Sequence, residues 1–281
     1  MMLLDCIAVL IMNNISNSEK KSFIRLSQAQ LNLLEVCPPQ FQRVYLEQLS
    51  LPMSPDLQEN LLWGNQFHQL MQQHFLELPL ESILDMDQDL KKIVDALLNS
   101  VDEKHNLSSQ SWREAEHYLS LEKANYLLTA MYDLLIINEN QAEILDWKTY
   151  LKPQNKHHLA NNWQTKLYLY LLAETSEYLP EQISMTYWFV KIPHEPQCLT
   201  VEYNEQLHQK TTLELENLLT NLDNYLLDFN QNNINLPHHQ TCENNCPYHK
   251  SCFLEKGNFN NLEEQSSDLL LMIDEIEEIS I

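Results

Sequence analysis

The stretch that decides the fold is residues 125–150, NYLLTAMYDLLIINENQAEILDWKTY. Two apolar runs rich in Tyr, Leu and Ile, 126–137 and 142–149, flank a polar break, and a third strand-like run, 112–121, precedes them. Glu139 and Asn140 form the centre of the break, so a hairpin turning between them pairs positions whose numbers sum to 279. Asp133 and Asp146 satisfy that sum and become cross-strand neighbours. The two-residue period then puts Lys148 on the face of Asp146 and sends Trp147 to the other. Like charges set opposite each other destabilise a sheet unless something compensates. A divalent cation would do so, and hard oxygen ligands suit Mg2+ or Mn2+. The plainer alternative is a solvated sheet face carrying incidental charges.

Working outward, 159–174 returns to helical period, with Leu159, Trp163, Leu167 and Leu171 on one stripe. Gln164 and Tyr168, four apart, share a face beside it. Upstream, 27–36 reads as a helix capped by Ser27 and stopped by Pro38 and Pro39. Residues 57–76 repeat apolar positions at helical spacing, and there His68 shares a face with Leu61, Gly64, Met71 and Phe75. A single histidine in that setting is more often a satisfied core residue than a ligand. A further helix covers Asp89–Asn99, and 100–110 reads as a loop. Downstream, 183–191 and 197–203 read as strands, 204–229 as a long helix and the Asn/Gln-rich 230–240 as a linker. The order gives an α/β core, a central sheet flanked by helices, with helical extensions.

The chain has 281 residues and a net charge of −23, from 17 basic and 40 acidic side chains. That balance argues against a freestanding coat for nucleic acid, which needs a basic footprint. It leaves room for an enzyme that touches a few phosphates. The acid is concentrated in the tail, where Leu262–Ile281 holds no basic residue. From Lys148 to Lys166 the sign reverses: Lys152, Lys156, His157 and His158 lie between, with no acid. Such a strip would receive an anion. Only two glycines occur, Gly64 and Gly257, which excludes glycine-cradle phosphate sites. No apolar run is long enough to span a membrane. Residues 1–12 lack the basic flank and cleavage site of a signal peptide, so a buried terminal strand or a misassigned start is expected there, in a cytoplasmic protein.

Cys242, Cys246 and Cys252 are spaced C-x3-C-x5-C, and Cys37 lies 205 residues before the first. Thiolates so crowded, in a chain without a secretory signal, read as a metal site. Four of them suit an iron–sulfur cluster or zinc; His249 also allows a Cys3His zinc site. Cys6 and Cys198 read as ordinary buried thiols.

Together these residues resemble the RecB-like nucleases of the PD-(D/E)xK superfamily, in the iron–sulfur branch that includes CRISPR-adaptation exonucleases and recombination helicase–nucleases. The family order is a helical His, an Asp, a D/E-x-K pair and then Q-x-x-x-Y, with one cysteine before and three after. Here the matches are His68, Asp133, Asp146-Trp147-Lys148, Gln164 to Tyr168, Cys37 and Cys242/Cys246/Cys252. The resemblance covers about residues 25–256, leaving 1–24 as an N-terminal extension and 257–281 as an acidic tail. It departs at Ala130 and Met131, where the family has Gly and often a basic residue, and at Tyr150, where Gly is usual.

The resemblance implies a restriction-endonuclease-like core and a metal-dependent DNA exonuclease acting on single strands or duplex ends, in repair, recombination or CRISPR-type processing. His68, Asp133 and Asp146 would hold Mg2+ or Mn2+, and Lys148 would position and help deprotonate the attacking water. Gln164 and Tyr168 would orient the DNA or the lysine, and Lys152, Lys156 and Lys166 would contact phosphates. The four cysteines would bind a [4Fe–4S] cluster, with Zn2+ as the alternative, stapling the two ends of the domain. The competing reading is a non-catalytic subunit of a DNA-processing complex, its acidic tail docking a helicase or integrase.

Overall fold

A computed structural model describes residues 23–49, 55–80, 88–105, 111–149, 155–191 and 196–238. Within them six strands form one mixed sheet: β1 (Ile24–Leu26), β2 (Trp112–Lys123), β3 (Tyr126–Ile137), β4 (Ala142–Lys148), β5 (Ile183–Phe189) and β6 (Gln197–Glu202). β2 runs antiparallel along the length of β3, from Lys123↔Tyr126 to Trp112↔Ile137. The opposite edge of β3 is shared. β1 pairs parallel with Tyr126–Leu128, and β4 pairs antiparallel with Leu134–Ile137. Residues 129–133 fall between the two. β5 adds parallel to β4, and β6 closes antiparallel on β5.

Two layers of helices cover the sheet. On one face lie α1 (Gln28–Val36), a short helix α2 (Pro38–Phe41) that widens into a turn over Gln42–Leu46, α5 (Lys156–Asn161), α6 (Trp163–Thr175) and α7 (Glu205–Asn232). α6 is apolar almost all round because it is sandwiched, and Leu167, Tyr168, Leu171 and Leu172 are all buried. The other face carries α3 (Pro55–Phe75) and α4 (Gln88–His105), whose stripe Leu90, Val94, Leu97, Val101 packs with Phe67 and Met71 against Leu134, Leu145 and Trp147.

The hairpin register is the predicted one: Leu134↔Leu145 through Ile137↔Ala142 all sum to 279. The pairing stops one rung short of Asp133 and Asp146. The helix expected over 159–174 is two helices, because Asn162 leaves the helical conformation and its side chain accepts from the Gln164 amide at 2.7 Å. The expected loop 100–110 is helical as far as His105, since Val101 continues the buried stripe and His105 Nδ1 meets Glu143 Oε2 at 2.9 Å. α7 runs three residues past its expected end and stops at Asn233, in the left-handed conformation (φ 54°). The expected linker is docked in its described part: Leu236 is buried, its amide donates to Gln42 Oε1 at 2.8 Å, and Gln42 Nε2 donates to Asn235 Oδ1 at 2.9 Å. Cys198 is exposed rather than buried, with Lys104 Nζ 3.2 Å from its sulfur. No described helix is long and apolar enough to cross a membrane. The expectations for 1–12, Cys6, the Cys242–Cys252 loop, His249 and the tail lie outside the described residues.

Leu167→Ala, at a fully buried position of α6, should lower unfolding stability by about 2–5 kcal/mol. Leu213→Ala, on the exposed side of α7, should stay within about 0.5 kcal/mol of wild type. Urea denaturation of both variants tests the layering.

Candidate active site

The site begins with a slip in side-chain alternation. Along β3, Leu128, Ala130, Tyr132 and Leu135 belong to the α6 layer, while Leu134 and Ile136 belong to the α3/α4 layer. Tyr132 and Leu135 are three apart, so strict alternation would put them on opposite faces. Asp133 and Leu134 therefore both turn toward α3. The partner strand slips at the same place. Ala115 pairs with Leu134 and His117 with Tyr132, and Glu116, opposite Asp133, is unpaired in the ladder and left-handed (φ 52°). That conformation costs a non-glycine residue about 1–2 kcal/mol, and paired distortions of this kind re-aim side chains beside functional sites.

The slip gathers three ligand-capable side chains. Asp133 Oδ1 lies 3.0 Å from Nδ1 of His68, which α3 presents from above the sheet. Asp133 Oδ2 accepts from the Trp147 amide at 2.6 Å, so a side chain stands where the β3–β4 ladder has ended. One donor atom each from His68, Glu116 and Asp133 all lie within 4.8 Å of one another. Burial, then the charge of Asp133, pushes the Glu116 carboxyl up to about 7, against an opposing effect of His68.

On the α6 side, β4 directs Asp146 and Lys148 at the first turn of α6. Gln164 clamps the pair: its Nε2 donates to Asp146 Oδ1 at 2.6 Å, and its Oε1 accepts from Lys148 Nζ at 2.8 Å. Lys148 Nζ is 3.0 Å from Asp146 Oδ2, an ion pair without the alignment of a hydrogen bond, so that buried oxygen retains acceptor capacity. All three residues are buried. Burial raises the Asp146 pKa most and the charge of Asp133 adds to it, while Lys148 opposes both. Tyr168 supports the floor. Its carbonyl accepts from the Tyr132 hydroxyl at 2.8 Å, and the two rings stand 5.1 Å apart.

The carboxylates and imidazole make a mixed oxygen and nitrogen donor set that fits Mg2+ or Mn2+. Two crowded carboxyls with raised pKa values, one keeping an oxygen without a hydrogen bond, are what a cation would discharge. Glu116 is the member that sequence reasoning missed. Its signal was available, because the β2–β3 pairs sum to 249 and so do 116 and 133. Of the lysines expected at phosphates, Lys156 opens α5 and is exposed. Lys166 is paired with Glu214 of α7 at 3.1 Å and lies 4.8 Å over the Trp163 ring. Lys152 and Cys242, Cys246 and Cys252 lie outside the described residues, and Cys37 is buried where α1 meets α2.

The chain belongs to the PD-(D/E)XK nuclease superfamily, whose family model matches residues 25–253. Among solved structures, it is similar to a candidate exonuclease from Eubacterium rectale, with 10% identity, a TM-score of 0.49 and coverage of 89% of this chain and 94% of that one. It is also similar to the protein SSO0001, with 14% identity, a TM-score of 0.35 and coverage of 78% of this chain and 86% of that one. No curated protein matches the chain.

The Glu116 shift has a consequence for stability. A carboxyl whose pKa is raised from 4.5 to about 7 on folding favours the folded state while protonated, and that stability is lost as pH rises through about 7. Glu116→Gln stays neutral. Without divalent cations it should therefore melt at a higher temperature than wild type above about pH 7, with the difference shrinking toward pH 4.5. Melting curves in EDTA across that range test it.

Proposed function

We propose that the protein is a Mg2+- or Mn2+-dependent DNA exonuclease that hydrolyses phosphodiester bonds of single strands or duplex ends. The observation that carries the reading is the meeting of two groups across the β3–β4 opening. His68, Glu116 and Asp133 stand on one side, and Asp146, Lys148 and Gln164 on the other. A divalent cation held by His68, Asp133 and Asp146 would acidify water and stabilise charge on the phosphoryl group. Lys148, fixed by Gln164, orients the attacking water and takes part in its deprotonation. Tyr168 and Tyr132 hold the floor of the site, and Lys156, Lys152 and Lys166 are the candidate phosphate contacts. DNA as substrate follows from the superfamily; end-directed cleavage and a role in repair, recombination or CRISPR-type processing follow from the RecB-like motif order.

The same reading gives Cys37, Cys242, Cys246 and Cys252 a [4Fe–4S] cluster. The docking of Asn235 and Leu236 on Gln42 supports it, since it returns the chain to the turn that begins five residues after Cys37. From Leu236 to Cys242 is six residues, a reach of up to about 20 Å. By analogy with a disulfide, closing so long a loop would stabilise by roughly 5 kcal/mol. A cytoplasmic location and a helicase or other DNA-processing partner for the acidic tail complete the proposal.

End-labelled single-stranded and duplex DNA, incubated with anaerobically purified protein and Mg2+ or Mn2+, should be shortened from its ends. Asp146→Ala and Lys148→Ala should each lose at least about 100-fold in rate. A folded wild type that cleaves neither substrate would overturn the enzyme reading in favour of an interaction subunit. In the same preparations, Cys37→Ala should lose iron and sulfide and melt at a lower temperature. Zinc without iron in the wild type would exclude the cluster.

A further inference from the structure

The alternation that resumes after the slip places another group beside the metal-ligand cluster. Glu116 faces α3, and so does Tyr118, two residues on along β2 and about 7 Å away. His117, between them, stacks on Tyr132 of the opposite layer, and Leu119 and Leu121, beyond, pack into that layer too. Tyr118 is 43% exposed, so its ring is open to a ligand. Arg25 of β1 reaches across β3 to it. Its Nε donates to Thr129 Oγ1 at 3.3 Å, and its guanidinium carbon lies 5.6 Å over the Tyr118 ring. Thr129 is buried, so the anchor is firm, and the guanidinium remains at the surface. In a chain of net charge −23 with three arginines, this one is held against an exposed aromatic ring one dipeptide from the ligand cluster.

We propose that Tyr118 and Arg25 form a binding shelf for single-stranded DNA, on which a base next to the cleaved phosphate stacks on Tyr118 while Arg25 meets the backbone phosphate. The shelf rests on the nuclease reading and narrows its substrate to an unpaired strand. An aromatic face accepts any base, but only one released from its pair, and a cation beside it neutralises the phosphate that follows. A paired duplex offers neither an accessible base face nor that spacing. Tyr118 and Arg25 act on position and affinity, while the chemistry stays with Asp146 and Lys148.

The test uses the full chain in EDTA and fluorescent oligothymidylate, with or without abasic residues at its ends, read by anisotropy. Tyr118→Ala should bind about 10-fold more weakly than wild type, whereas Tyr118→Phe, which keeps the ring, should bind like wild type. Abasic ends should weaken wild type by a similar factor and leave Tyr118→Ala unchanged, a coupling that a purely structural role would not produce. Arg25→Gln should lower the slope of log affinity against log salt by about 0.7, one phosphate contact on a single strand. Equal binding by wild type and Tyr118→Ala, with no sensitivity to abasic ends, would overturn the shelf. If wild type then still cleaves DNA with Mg2+, the nuclease reading stands without it. A wild type that neither binds nor cleaves would remove both.

Discussion

A β-sheet assigns each residue to one face, and the site requires residues from both faces at a single point. The paired slip at Glu116 and Asp133 resolves that conflict. Upstream of it, β3 gives its even-numbered residues to the α6 layer. Downstream it gives the odd ones, and Asp133 sits where the change occurs. The edge of β3 opens at the same place, with β1 pairing before residue 129 and β4 after 133. Strict alternation carried back from Leu135 would send Asp133 toward α6, away from His68 on α3; the slip leaves it facing α3. The left-handed Glu116 is the strain that maintains it, and strain of this kind persists only where the surrounding structure over-determines it. Here the continuous β2–β3 ladder on either side of the slip does so.

The electrostatic arrangement divides the same way. Asp146 and Lys148 are buried together, and a buried ion pair gains little unless its remaining hydrogen-bonding capacity is met. Gln164 meets most of it with one amide that serves both partners. Among the described residues Asp133 is met by His68 and the Trp147 amide, and burial followed by the charge of Asp133 pushes the Glu116 carboxyl up to about 7. One half of the site thus holds its ion pair through a single amide, and the other gathers two carboxyls around one histidine.

The hairpin was legible in the sequence because a turn at Glu139 and Asn140 leaves one register, and that register fixed which residues would approach. Helix α4 was legible because it keeps its period, and α6 because its apolar run is long enough for a buried helix. What the sequence hid were departures from period. Alternation predicts Asp133 and Asp146 on one face, and only the fold reveals that the ladder ends at Leu134↔Leu145 and that Asp133 turns the other way. Glu116 went unread although its register opposite Asp133 was available, since in WREAEH it looks like one more polar residue of a strand. β1, three residues long, carries no periodic signal at all; its position comes from pairing with β3. Gln42 carries no signal in the sequence, and its role appears only when a segment 194 residues later docks on it.

Asp133 is the group through which the two halves communicate. One oxygen faces His68 of α3 and the other holds the amide of Trp147, whose neighbours on either side are Asp146 and Lys148. Trp147 itself packs its ring against Phe75, near the end of α3, at 6.3 Å. α3 is therefore tied to β4 twice, once through the carboxylate and once through the core. A displacement of α3 would shift the imidazole and the strand that carries the lysine together, rather than open a gap between them. A site assembled from two layers needs such a coupling, because the distance from His68 and Asp133 to Asp146 and Lys148 is fixed only if the layers cannot slide independently. In this fold, two contacts from one residue, the amide and the ring of Trp147, which stands between Asp146 and Lys148, supply that constraint.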